Sequence, residues 1–172
     1  MNESQILKAI IEQRKSTYPK DYTGVDITKD ILNELLNVGC LTPNHKKTAP
    51  WRYQLFLGKQ KDALAKEMAK LYKTYTPEDK FLEKKYLSII DKIKGASAII
   101  STSVAISDTV PEWEEIAAVS MGVQNMYLLC STYQLGCYWS TPKLAAYLSE
   151  FLNLNDNEKC LGLFYIGTLE HK

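Results

Sequence analysis

Histidine and arginine are nearly absent. The 172 residues hold two of each, His45 and His171, Arg14 and Arg52, and the four cysteines, Cys40, Cys130, Cys137 and Cys160, form no CxxC pair. Neither a zinc cluster nor a dithiol redox motif can be assembled from such spacing, and no metal site is expected. The eight glycines never form GxG, so the dinucleotide fingerprint is missing. Gly162 and Gly167 have P-loop spacing but no lysine follows them. GxSxG, HExxH and the kinase signatures are missing as well. With 21 basic and 20 acidic residues the formal net charge is +1, which leaves no field to gather nucleic acid or anionic lipid. The longest uncharged stretch, Ile116 to Pro142, is interrupted by Gln124, Asn125, Gln134 and several hydroxyls. A membrane span needs about 20 predominantly apolar residues, so this stretch reads as protein interior. No basic segment leads into a hydrophobic one at the amino terminus, so no secretory signal is expected. Reduced thiols and a cytoplasmic location follow.

What remains, 45% hydrophobic and 24% charged, is the balance of one globular domain over residues 1–172. Ile6, Leu7, Ile10 and Ile11 predict a helix from Ser4, its cap, to Gln13. Ile31, Leu32, Leu35 and Leu36 predict a second from Thr28 to Val38, with Gly39 as terminator. Cys40 to Pro50 reads as a loop and Trp51 to Leu57 as a strand. Two lysine-rich surface helices are expected over Lys59–Tyr75 and Glu78–Ile93, the second opened by Pro77. Ala96 to Val104 suits an interior strand. Glu112 to Tyr133 is the longest helical candidate, about 33 Å at 1.5 Å per residue and apolar around much of its circumference. Surrounding such a helix on nearly all sides is difficult in a domain this small unless another chain contributes cover, so a homodimer with this helix at or near the interface is expected. Gly136–Ser140 as a strand, Pro142–Phe151 as a helix and Leu161–Thr168 as a strand complete a mixed α+β sandwich.

Three segments offer chemistry. Arg14-Lys15-Ser16-Thr17 presents a planar cationic fork with two hydroxyls, which suits a phosphate, or merely an arginine offsetting a helix C-terminus. Leu41 to Trp51 carries two prolines, His45, Lys46 and Lys47, and can surround a planar polar ligand or be only a basic turn. Gly136-Cys137-Tyr138-Trp139-Ser140-Thr141-Pro142 leads into a helix whose first turn can receive an anion, although Trp139 also suits the core.

In order and separation, these segments, with Trp113-Glu114 and Leu161-Gly162 through Gly167-Thr168, resemble the FMN-dependent nitroreductase family over nearly the whole chain. The likeness is greatest to its small, minimal members, whose loop has the form A-P-D-H-K-x-x-x-P-W and whose later segment reads G-x-x-W-R-S. The resemblance implies an intertwined homodimer binding two FMN at its interface, with NADH or NADPH as electron donor. Hydride would pass through flavin N5 in a ping-pong reduction of nitroaromatics, quinones or similar planar electron-poor compounds. Arg14, Lys15 and Ser16 correspond to the phosphate and flavin-contacting triplet, His45 to the residue approaching from the partner chain, and Trp139, Ser140 and Thr141 to the flavin lining. Lys172 falls where many members place a basic residue near phosphate. No catalytic side chain is implied, because the flavin carries the electron chemistry.

The chain departs from the pattern at Leu41 and Ser140, where basic residues stand in relatives, at Leu169 in place of a proline, and at Tyr18 in place of a lysine near the flavin pyrimidine. Loss of cations near the flavin leaves a second reading, an FMN storage or sensor module with little turnover. A third is a dimeric interaction protein without a cofactor.

Overall fold

The computed structural model describes residues 1–170. Five helices and four strands follow in the order α1 (Glu3–Gln13), α2 (Lys29–Gly39), β1 (Trp51–Phe56), α3 (Gly58–Tyr75), α4 (Glu83–Gly95), β2 (Ala98–Ala105), α5 (Glu112–Thr132), β3 (Gly136–Ser140) and β4 (Glu158–Gly167). The strands form one antiparallel sheet in the order β1-β2-β4-β3. An α+β sandwich results, as expected from the mixed pattern.

The two central strands are buried on both faces over most of their length, which is why neither shows an alternation of apolar and polar residues. Successive residues nevertheless serve opposite layers. Ile99 and Leu163 meet Leu64, Met68 and Ile93 of α3 and α4, whereas Ile100 and Phe164 meet Leu32, Leu35, Val123 and Met126 of α2 and α5. α2 and α5 approach so closely that a Cβ at Gly122 would collide with the Gly39 carbonyl and the Tyr53 hydroxyl. No helix among the described residues is long and apolar enough to cross a membrane.

Several boundaries differ from the sequence expectation. Asn2, not Ser4, caps α1: its side chain accepts the Gln5 N–H while the Gln5 side chain accepts the Asn2 N–H, both at 2.9 Å. This reciprocal pair satisfies two helix-end donors and leaves Ser4 inside the first turn. Thr28 occupies the N-cap of α2 without a side-chain capping bond. The helix expected from Glu78 starts at Glu83 instead. Pro77 opens only a 3-10 turn at Glu78–Lys80, and Phe81 and Leu82 then turn extended as the Phe81 ring packs on Tyr72 at 5.4 Å. Pro142–Phe151 is likewise not an α-helix: a 3-10 turn at Lys143–Tyr147 is followed by turns that drive Leu148 and Leu152 into the core. β4 begins at Glu158, three residues before the expected start, because Arg52 and the Asn155 N–H satisfy the Glu158 carboxylate at the strand entrance.

The long helix carries a stripe that one copy of the chain does not cover. Trp113 is 68% and Met121 40% exposed on α5, and no residue of α1 is buried, with Leu7 54% exposed.

Candidate functional site

At the end of α1, Arg14 leaves helical geometry (φ −57°, ψ 123°). The chain then runs along the outer edge of β3, where the Thr17 N–H donates to the Cys137 carbonyl at 2.9 Å. This route is anchored by Tyr22, whose hydroxyl donates to the Thr17 carbonyl at 2.7 Å. The Tyr22 ring lies against Gly136 and Gly167, where any Cβ would overlap it. Burial pushes the Tyr22 phenol well above its ordinary range, so it remains a donor.

Arg14 and Ser16 therefore come to rest on the C-terminal half of α5. The Arg14 guanidinium lies 5.3 Å from the Tyr127 ring centroid, and Ser16 Oγ lies 3.2 Å from Tyr127 Oη. The Trp139 main-chain N–H donates to the same phenol oxygen at 2.7 Å. Three residues singled out from sequence thus converge on Tyr127.

Trp139 is held at its other end too. Its indole N–H donates to Thr102 Oγ1 at 2.8 Å, and the Thr102 hydroxyl donates to the Gly162 carbonyl at 3.0 Å. The β2–β4 register shifts here, with Thr102 facing Gly162 and Ser103 facing Cys160, so Leu161 is the extra residue of a bulge. A Cβ at Gly162 would stand 3.1 Å from the indole nitrogen and collide with the Ser140 carbonyl. Ser140 is half-buried at the end of β3 and Thr141 is exposed beyond it. No α-helix follows, so the anion-receiving helix end expected after Pro142 does not exist there.

Lys15 and Tyr127 line a cleft of about 200 Å³ with Thr17, Ser131 and Cys137, and Lys15 and Thr17 also face a wider opening beside Tyr22 and Glu170. Among the described residues the ion pairs are Lys8–Glu12, His45–Glu114, Arg52–Glu158, Lys70–Glu67 and Lys159–Glu112. Arg14 and Lys15 are in none of them. The buried Cys130 thiol is held above its ordinary range by the neighbouring Cys137 and by burial, which makes it unreactive.

His45 sits elsewhere. Its Nδ1 lies 2.6 Å from Glu114 Oε2 on the first turn of α5, on a loop in which Lys46, Lys47 and Ala49 all have positive φ. The strain is held by the Ala49 N–H donating to Asn44 Oδ1 at 3.0 Å, Arg52 donating to the Ala49 carbonyl at 3.0 Å, and Lys46 donating to the Thr109 carbonyl at 2.9 Å. Glu114 and Tyr127 are separated by about 20 Å of helix at 1.5 Å per residue. Within one chain, His45 is therefore remote from the Arg14 cluster. Lys172 lies outside the described residues.

Tyr127 and Thr102 were not singled out by sequence reasoning. The available signal was a phenol inside the uncharged stretch and a threonine inside an apolar strand, each a polar group that burial obliges to find a partner.

The Nitroreductase family model matches residues 11–168. YdjA of Escherichia coli (strain K12), whose name is that of an NAD(P)H nitroreductase, is 24% identical over 153 residues, covering 84% of this chain and 79% of the relative. A nitroreductase-like family protein from Bacillus cereus superposes with a TM-score of 0.80 at 25% identity, over 96% of this chain and 86% of that one. The FMN-dependent nitroreductase NfnB from Mycobacterium smegmatis, solved in complex with NADPH, superposes with a TM-score of 0.78 at 12% identity, over 98% of this chain and 90% of that one.

Proposed function

The chain belongs to the Nitroreductase family, and from that premise we propose that it is an FMN-dependent NAD(P)H oxidoreductase, active as a homodimer on planar electron-poor compounds such as nitroaromatics and quinones. The observation that carries this reading is the meeting of Arg14, Ser16 and Trp139 on Tyr127, beside a cleft lined by Lys15, with neither Arg14 nor Lys15 in an ion pair among the described residues. A phosphate takes bidentate guanidinium hydrogen bonds and further hydroxyl donors, and this group of residues supplies both. When bound, FMN supplies the acceptor and donor of hydride between nicotinamide and oxidant.

The protein's own residues bind and orient. Arg14, Lys15 and Ser16 take the phosphate, and Trp139, Ser140 and Thr141 line the flavin. Trp139 is fixed for this by two hydrogen bonds, one from each end of the residue. The uncovered stripe on α5 and the unburied α1 support a twofold partner. Were the two α5 helices to cross antiparallel, the partner subunit's His45 would span the separation of about 20 Å and approach Arg14 and Trp139. Glu114 then orients that imidazole through Nδ1, leaving Nε2 to face the cofactor.

The test is reconstitution with FMN, desalting, and rapid mixing with NADPH or NADH. Retained flavin absorbance that bleaches on mixing is the expected result. Retained flavin that stays oxidised with both donors favours the storage or sensor module, and no retained flavin removes the flavoprotein reading.

A further inference from the structure

Tyr127 touches three of the groups assigned to the cofactor, and the hydrogen-bond accounting at its hydroxyl bears on what Ser16 presents to solvent. A phenol has one proton to give and an oxygen that accepts. The Trp139 main-chain N–H can only donate, and it takes the accepting role of Tyr127 Oη at 2.7 Å. The other neighbour among the described residues is Ser16 Oγ at 3.2 Å. If Ser16 donated, the proton of a phenol only 9% exposed would have no acceptor, an arrangement that costs the desolvation of that group. By distance alone either hydroxyl could donate; a proton running from Tyr127 to Ser16 is the arrangement that keeps the buried phenol paired within the chain. Arg14 over the ring face reinforces this direction, because a cation on the π face draws density from the ring and makes the hydroxyl a better donor. With its oxygen accepting from Tyr127, Ser16 turns its own proton outward, where the side chain is exposed and has no protein acceptor among the described residues.

We propose that Tyr127 is a positioning residue for anion recognition: the ordered chain from Trp139 N–H to Tyr127 O–H to Ser16 Oγ holds Ser16 as an outward donor beside Arg14. The device selects a ligand that presents only acceptors, a phosphate monoester, over one that ends in a hydroxyl. It rests on the FMN reading, which makes that ligand the FMN phosphate. The same chain of bonds ties the phosphate side of the site to Trp139 on the flavin side, so a change at Tyr127 reaches both.

The experiment compares FMN with riboflavin, which lacks the phosphate, by flavin fluorescence titration of wild type, Ser16→Ala, Tyr127→Phe and the double variant. The ratio of the two dissociation constants cancels any disturbance of Trp139 on the flavin-ring side. Ser16→Ala and Tyr127→Phe are each expected to lower the preference for FMN by about 10- to 150-fold, the range of one lost hydrogen bond to a charged group. In the Ser16→Ala background, Tyr127→Phe is expected to change it by less than about threefold, since the two act in series. An unchanged preference in Tyr127→Phe, or equal losses in both backgrounds, overturns the proposal. If wild type binds riboflavin but shows no preference for FMN, the proposal falls while a flavin site stands; if it binds neither, the functional reading falls with it. Far-ultraviolet circular dichroism of each apoprotein identifies a variant that has not folded. Ser16→Ala, at an exposed position, carries the test in that case, because it alone must lower the preference.

Discussion

Replacing Thr102 by valine removes one hydroxyl from the interior and keeps the side chain's shape. In the folded protein that hydroxyl accepts the Trp139 indole N–H at 2.8 Å and donates to the Gly162 carbonyl at 3.0 Å, at a residue with no solvent exposure. In the variant the carbonyl keeps a weak contact with the Cys160 thiol at 3.7 Å, so the indole N–H is the group left without a partner. An orphaned buried donor costs about 1–3 kcal/mol and the lost Thr102 bond to the Gly162 carbonyl about 1 more, of which the added methyl offsets about 0.8, for a net loss of about 2 kcal/mol. In a chain of this size each kcal/mol moves Tm by about 2–4 °C, so thermal unfolding of the apoprotein should shift down by about 4–8 °C. Thr102→Ser is the control. It keeps the hydroxyl and loses a methyl, at about 1 kcal/mol. The order of stability should be threonine, serine, valine, the reverse of what apolar packing alone dictates for the last two. Differential scanning calorimetry reads this directly, and a valine variant as stable as wild type, or more stable than the serine variant, refutes the assigned role of Thr102.

Arg14→Ala should weaken FMN binding by about 1.5–3 kcal/mol, or roughly 10- to 150-fold, in a fluorescence titration; unaltered affinity contradicts its phosphate role. Gly122→Ala should cost about 3 kcal/mol in urea unfolding, because its methyl meets backbone and a tyrosine hydroxyl rather than a yielding side chain. The Asn155 N–H, and then the Arg52 guanidinium, hold the Glu158 carboxyl below its ordinary value of 4.5 against the opposing effect of burial. Its contribution is thus fully present above pH 4.5 and lost as pH falls through the lower folded value. Glu158→Gln should accordingly be less stable than wild type at neutral pH, with a gap that narrows through the acid range; a gap independent of pH refutes the linkage.

The fold was legible wherever one face of an element met the core. Leu32 and Leu35 mark α2, and the unbroken run from Ala98 to Ala105 marks a strand buried on both sides. Pro77 and Pro142 misled because proline permits a helix start without requiring continuation. Tertiary contacts decide the conformation of the chain after each proline, Phe81 on Tyr72 in one case and burial of Leu148 and Leu152 in the other. The site was legible as segments but not as a network. Arg14, Ser16 and Trp139 stand out by residue type, whereas Tyr127 acquires its place only once α5 lies beside β3. The absence of apolar-to-polar alternation on α5 was informative in a different way, since that helix keeps exposed apolar residues at Trp113 and Met121, which fits the proposed homodimer.

Sedimentation velocity of the FMN-loaded protein, recorded at the flavin absorbance band, joins cofactor and assembly in one observation. The flavin should travel with a species of twice the 19.6 kDa chain mass. Flavin left behind at the meniscus, or carried by a single chain, would contradict a site built from two copies.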